Sequence, residues 1–125
     1  MLRKMHTFII KSGMPSVEEA RRRLIAEVKS AQANRLKAIK IVHGYGSTGR
    51  GGRLREAIRT SLLYRRRDQQ IGRFVYGERW TIFDPSTREF LNDHPEYRRD
   101  NDLNRDNPGI TIVELRISPN GRGNR

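Results

Sequence analysis

The apolar positions of this chain fall into blocks whose spacing shifts between strand-like and helix-like, and those blocks predict its elements. Met5 to Lys11 is a short apolar run that reads as a strand, broken by Ser12 to Pro15. Ser16-Val17-Glu18-Glu19 matches a capping box, Ser followed three residues later by Glu, and places a helix start there. Val17, Ala20, Leu24, Val28 and Ala31 then recur at helical steps and form one apolar stripe. Ala38 to Val42 reads as a second, buried strand that runs straight into the glycine-rich stretch His43 to Gly52. Leu54, Ala57, Ile58 and Leu62 mark the apolar face of a second helix, which Arg65-Arg66-Arg67 ends, since cations favour the negative end of a helix dipole. Phe74 to Tyr76 begins a third strand, and Trp80 to Phe83 is expected to continue it or pair with it. Asp84-Pro85-Ser86 reads as a turn or a helix start with Asp as N-cap and Pro at the first helical position. Asn92 to Asn107, rich in Asn, Asp, Arg and Pro, reads as a long surface loop. Ile110 to Ile117 carries the strongest strand signal, with Thr111, Val113 and Leu115 on one face and Ile110, Ile112, Glu114 and Arg116 on the other.

The order strand-helix-strand-helix-strand-insert-strand predicts an α/β fold. A four-stranded mixed sheet carries two helices on one face, as a two-layer sandwich. We expect a single domain over 1–117, an insert at about 77–107 and a disordered tail at 118–125. The 125-residue length fits one domain with one modest core. Cysteine is absent, which excludes disulfides, thiolate metal sites and a cysteine nucleophile. No apolar run approaches the roughly 20 residues of a membrane span, and the N-terminus lacks the apolar region of a signal peptide. The expectation is a soluble, cytoplasmic protein that does not engage membranes.

Charge changes the picture more than composition does. The net charge is +12, and its natural partners are polyanions. From Met1 to Tyr64 there are 14 Lys/Arg against 4 Asp/Glu, whereas from Arg65 to Asn107 there are 9 of each. The positive field therefore belongs to the half that holds the glycine-rich loop. A loop that leaves a strand and enters a helix presents backbone N–H groups and a partial positive charge to an anion. Gly44 and Gly46 let the backbone approach a ligand closely. Arg50, Arg53 and Arg55 add guanidinium forks suited to phosphate, and Ser47 and Lys11 complete the expected binding set. Tyr45 is placed to stack on a base, and His43, at the strand end, to bind phosphate or to act as an acid or base. The competing reading of such a loop is a flexible turn with solvated arginines.

Gly44 to Gly49 also fits the three-glycine dinucleotide pattern, but that fingerprint wants an acidic residue ending the next strand, and Asp68 sits in an Arg-Arg-Arg-Asp stretch instead. As a phosphate loop of the Walker type it fails too, because Arg50-Gly51 stands where Lys and Ser/Thr are needed.

The stretch Ile39 to Gly46, with its His43-Gly44-Tyr45-Gly46, followed by Gly52-Arg53-Leu54-Arg55, resembles the core signature of Smr (small MutS-related) domains. There an aliphatic strand ends in His-Gly-x-Gly and a Leu-Arg pair starts the next helix. Ser16-Val17-Glu18-Glu19-Ala20 with Leu24 is similar to the start of that family's first helix, and Pro108 to Leu115 to its last strand. The resemblance covers roughly residues 5–76 and 108–117. It implies a two-layer fold like the C-terminal domain of bacterial translation initiation factor three. It also implies binding to DNA or RNA and, in several members, a nicking endonuclease activity. Two departures stand out. Many Smr domains carry Asp-Leu-His-Gly at the end of the first strand, where this chain has Ile9-Ile10-Lys11-Ser12-Gly13, and His6 is too early to replace that histidine. The insert of roughly 30 residues stands where the family has a short glycine-rich loop.

The first functional reading is thus a nucleic-acid-binding domain, with DNA or RNA as partner and no cofactor. The alternative is a DNA or RNA endonuclease with His43 as the catalytic residue, for which a divalent metal would need converging carboxylates. The second alternative is a protein-interaction adaptor that docks a partner through the insert, with Trp80, Phe83, Phe90 and Tyr97. Against these stand plainer expectations: the acidic residues from Asp84 to Asp106 as a solvated, charge-balanced loop, His94 as an exposed loop residue, His6 as a packed or edge histidine, and Trp80, Phe83 and Phe90 as a small core of the insert.

Overall fold

The computed structural model describes residues 4–45 and 49–116. The elements run β1 (His6–Ile9), α1 (Val17–Ala33), β2 (Ala38–Val42), α2 (Gly49–Arg67) and β3 (Ile71–Tyr76). A 3-10 turn at Gly77–Arg79, α3 (Pro85–Asp93) and a second 3-10 turn at Pro95–Arg99 lead to β4 (Ile110–Leu115). The expected tail at 118–125 lies outside the described residues.

Sheet order is β1-β2-β4-β3, with β1 parallel to β2 and β4 antiparallel to both its neighbours. A parallel pair needs a crossover, which α1 supplies between β1 and β2. Ser16 caps α1 as its sequence predicts, its Oγ accepting from the Glu19 amide at 3.1 Å. The capping box is only half formed, because the Glu19 carboxylate turns forward to Arg23 instead. The apolar stripe holds: Ala20, Leu24, Val28 and Ala31 are all buried. On α2, Leu54, Ala57, Ile58 and Leu62 are buried as expected.

Alternation along the strands divides the core in two. Ile39, Ile41, Val113 and Leu115 face α1 and α2 and pack with Leu24, Ile58 and Leu62. Ala38, Ile110 and Ile112 face the other way and pack with Val75, Trp80, Phe90 and Tyr97. The predicted sandwich of a mixed four-stranded sheet with two helices on one face is present. The insert adds a third layer across the opposite face.

Three local expectations are corrected. Trp80 to Phe83 neither continues nor pairs with β3; the chain turns away after Tyr76, and Trp80 is wholly buried, edge-on to Phe90. The strand itself starts earlier, at Ile71, and its register against β4 shifts by one residue between Ile71 and Phe74. This is a β-bulge at Gly72-Arg73, and the Arg73 amide finds its acceptor in the Glu114 carboxylate at 3.0 Å rather than in the ladder. Asn92 to Asn107 is not a solvated loop. Tyr97 is buried within it. Lys40 reaches out of β2 on this face to Asp100 at 2.7 Å and Asp102 at 2.6 Å, and the Trp80 indole donates to Asp100. A buried ammonium needs carboxylates within reach, and the insert supplies two. Burial would raise the Asp102 carboxyl pKa, but hydrogen bonds from Lys40 and Asn107 outweigh it and hold it below the usual range.

Candidate nucleic-acid interface

The carboxyl ends of β1 and β2 lie side by side, with Ile9 opposite Val42. Lys11 and His43 to Tyr45 leave the sheet there, and α2 begins within a few residues. Gly44 has φ +75°, and a Cβ built on it would lie 3.3 Å from Cδ and 3.9 Å from Nζ of Lys11. The Lys11 side chain therefore lies across the Gly44 backbone. Arg23 props this corner from beneath by donating to the carbonyls of Ile10 and Ser12.

His43 points the other way, into the fold. It is fully buried; its Nδ1 is 2.7 Å from the Gly44 carbonyl and its Nε2 2.8 Å from the Thr111 hydroxyl. Arg59 Nε donates to that same hydroxyl at 3.1 Å. Each role follows from the chemistry of the partners. The carbonyl can only accept, so Nδ1 carries the proton. The hydroxyl accepts from Arg59 and donates its hydrogen to Nε2. Arg59 is itself held by a two-pronged pairing with Glu78, both contacts 2.8 Å, by the Ile110 carbonyl, and by the Tyr76 ring 4.0 Å beneath its guanidinium. Burial pushes the His43 pKa down to about 4, aided by the charges of Arg59 and Arg55 and opposed by the Gly44 bond. Glu78 is held below the usual carboxylate range: desolvation opposes this, and the Arg59 hydrogen bonds outweigh it. His43 is thus neutral with both nitrogens engaged, and in this arrangement it has no exposed nitrogen to offer a substrate.

The amides of His43 and Gly44 both donate to the Gly109 carbonyl at 3.0 Å. The expectation that the loop presents free backbone donors is corrected for these two residues. The exposed part of the rim is made by side chains. Lys11 is exposed, Arg53 is exposed on the first turns of α2, and Arg55 is half-buried above a groove of about 280 Å³ shared with Arg59, Leu63, Tyr76 and Glu78. Tyr45 is half exposed, with its ring edge over Gly109. The first turn of α2 holds no acidic residue, and Arg50 falls within that turn. Gly46 and Ser47 lie outside the described residues.

The model of the Smr domain family matches residues 12–81, more than half of the chain. The chain belongs to the Smr domain family. Among solved structures, the Smr domain of Thermus thermophilus MutS2 is similar, with 23% identity, a TM-score of 0.55, and coverage of 90% of this chain and 99% of that one. No curated protein matches the sequence. The family match begins at Ser12 and stops at Thr81, so most of the insert and β4 fall outside it. The structure nonetheless sets β4 between β2 and β3, where it hands Thr111 to His43.

The Arg59–Glu78–Thr111 support of His43 escaped the sequence reading. One cue was present: Thr111 shares a strand face with Val113 and Leu115, and a polar residue among apolar neighbours needs a partner if that face is buried. His94 was expected to be exposed. Its side chain is largely buried and meets Glu114 at 2.7 Å, while Arg73 binds the same carboxylate. Burial would raise the Glu114 pKa, but Arg73 and His94 bring it down to about 2. His6 is an edge histidine paired with Glu27. Among the described residues no group of three or more His, Asp or Glu converges as a metal site would. No described helix is long and apolar enough to cross a membrane.

Proposed function

We propose that this Smr domain binds DNA or RNA along the rim at the carboxyl ends of β1 and β2. Lys11, Arg53, Arg55 and Arg50 neutralise phosphates there, Gly44 to Ser47 let the backbone approach, and Tyr45 stacks on a base. The observation that carries this is the Lys11 ammonium lying across Gly44, beside a helix start that contains no carboxylate. His43 acts as a positioning residue in this reading. It ties the loop, through Gly44, to β4 through Thr111. The nicking alternative would require His43 to give up one of those two bonds.

The test is fluorescence anisotropy of labelled DNA and RNA at several salt concentrations, for the wild type and for the combined Lys11→Ala, Arg53→Ala, Arg55→Ala variant. Each lost phosphate contact lowers the slope of log K against log salt by about 0.9 on duplex and about 0.7 on single strands. A slope flattened by about two to three, with weaker binding, supports the rim. Equal binding and equal slope in the variant would overturn it.

A further inference from the structure

The insert carries one aromatic side chain that the fold does not use. Trp80, Phe90 and Tyr97 are buried, but Phe83 is 81% exposed and Ile82 beside it 46%. They are not on a slack loop. Asn104 Oδ1 accepts from the Ile82 amide at 3.0 Å and from the Thr81 hydroxyl at 2.9 Å. The Asp84 amide donates to the Thr81 carbonyl, Arg88 donates to the Ile82 carbonyl, and the Asn104 amide donates to the Trp80 carbonyl. Asn104 adopts φ +67° to make this clamp. A ring already held in one place can be covered by a partner without the cost of ordering it.

The location of the turn points to the partner. Gly77, three residues before Trp80, packs so closely on Ile110 and Asn107 that a Cβ would have no room. Ile110 is the register partner of Val42, next to His43. From Asp84, α3 runs back to His94, which meets Glu114 near the far end of β4. The Phe83 turn therefore leaves the sheet at the same end as the Lys11–Gly44 corner. Tyr45 over Gly109 and the Asn107–Gly77 contact form the rim between them. The flanking cations Arg79, Arg88 and Arg105 are exposed, as are the carboxylates Glu89 and Asp106, whereas Asp84 is 13% exposed, caps α3 and meets Arg79 at 3.6 Å. A rigid exposed ring, with the Arg88 guanidinium fixed beside it on the Ile82 carbonyl, suits a base within a polyanion.

We infer that Phe83 is a base-stacking residue, which takes an unpaired base of the nucleic acid whose phosphates lie along the Lys11–Arg53 rim. This rests on the proposed function above. The probe is DNA containing 2-aminopurine, as a single strand and as a duplex with an unpaired 2-aminopurine. The variants are Phe83→Ala, Phe83→Tyr and the rim triple variant. Phe83→Ala is expected to bind roughly tenfold more weakly, with an unchanged salt slope, an unchanged melting temperature and loss of the 2-aminopurine fluorescence change. Phe83→Tyr keeps the fluorescence change and most of the affinity. If Phe83→Ala matches wild type in affinity and fluorescence while the rim variant loses binding, the stacking inference is wrong and the rim stands. The exposed pair would then be assigned to a protein partner. If wild type binds no probe at low salt, the proposed function fails first and the stacking role with it.

Discussion

His43 makes the structure testable without knowing a ligand. In the fold its pKa is down to about 4, and unfolding returns it to about 6.5. Between those values the unfolded chain binds a proton that the folded chain refuses, so stability falls as pH falls. The contribution is intact above the unfolded pKa, and its full loss at low pH corresponds to about 3 kcal/mol. At pH 5 the same relation gives a loss of about 2 kcal/mol. Carboxylates confuse acid unfolding, but Glu114 shifts the balance mainly between its ordinary value of 4.5 and about 2. A comparison of pH 7.5 with pH 5 largely avoids it. His43→Gln removes the titration while leaving an amide oxygen able to accept from Thr111. The assay is urea unfolding of both proteins at the two pH values. Wild type should lose about 2 kcal/mol more than the variant, although the variant starts lower at pH 7.5 by about 1 kcal/mol for the missing Gly44 bond. Parallel losses in the two proteins would refute a neutral, buried His43, and with it the account of how the loop is held.

Two further substitutions probe the third layer. Lys40→Ala leaves Asp100 and Asp102 facing an emptied site, and should cost about 3–5 kcal/mol in denaturant unfolding; a loss below 1 kcal/mol would show that the insert is not anchored through this contact. Gly77→Ala forces a methyl onto the Asn107 carbonyl and Ile110. It should lower the melting temperature by more than the about 4 °C that a 1 kcal/mol change produces in a domain of this size, whereas Gly13→Ala, with no atom nearer than 4.0 Å, keeps only its backbone strain.

Periodicity made the sheet and both long helices legible, because their apolar residues repeat at the period of the element that buries them. Val113 and Leu115 were assigned to one face and Ile110 and Ile112 to the other, and the two cores divide along that line. Periodicity fails where burial is paid for by polar pairing over long separations. Lys40 in a strand and Asp100 in a polar stretch look solvated when each is read alone, and they meet 60 residues apart. Glu114 shares a strand face with Ile110 and Ile112, and nothing in that pattern shows that it gathers Arg73 and His94. The Gly44 end of the rim was legible because glycine, histidine and arginine occur together within one short segment. The inward turn of His43 was not, since it depends on Thr111 and Arg59, which the chain delivers from two other elements.

The same long-range pairs shape the field that a nucleic acid would meet. By sequence the first half carries all of the excess charge up to Asn107, and the second half is balanced. In the fold the second half neutralises itself only in part, through pairs such as Arg73–Asp93 and Arg79–Asp84. Glu78 takes Arg59, Glu96 approaches Lys37, and Asp100 with Asp102 takes Lys40. Three cations of the basic half are thus cancelled by carboxylates from after β3, and one of these carboxylates, Glu78, lines the groove beside Arg55. Among the described residues Lys11 and Arg53 have no such partner, and both are exposed. Long-range attraction of a polyanion depends on where uncompensated charge sits, more than on its total. The insert thus lowers the charge at Lys37, Lys40 and Arg59, while Lys11 and Arg53 stay exposed. Removing the insert's carboxylates, for example by Asp102→Asn, should therefore spread positive potential and raise non-specific binding rather than strengthen contact at the rim.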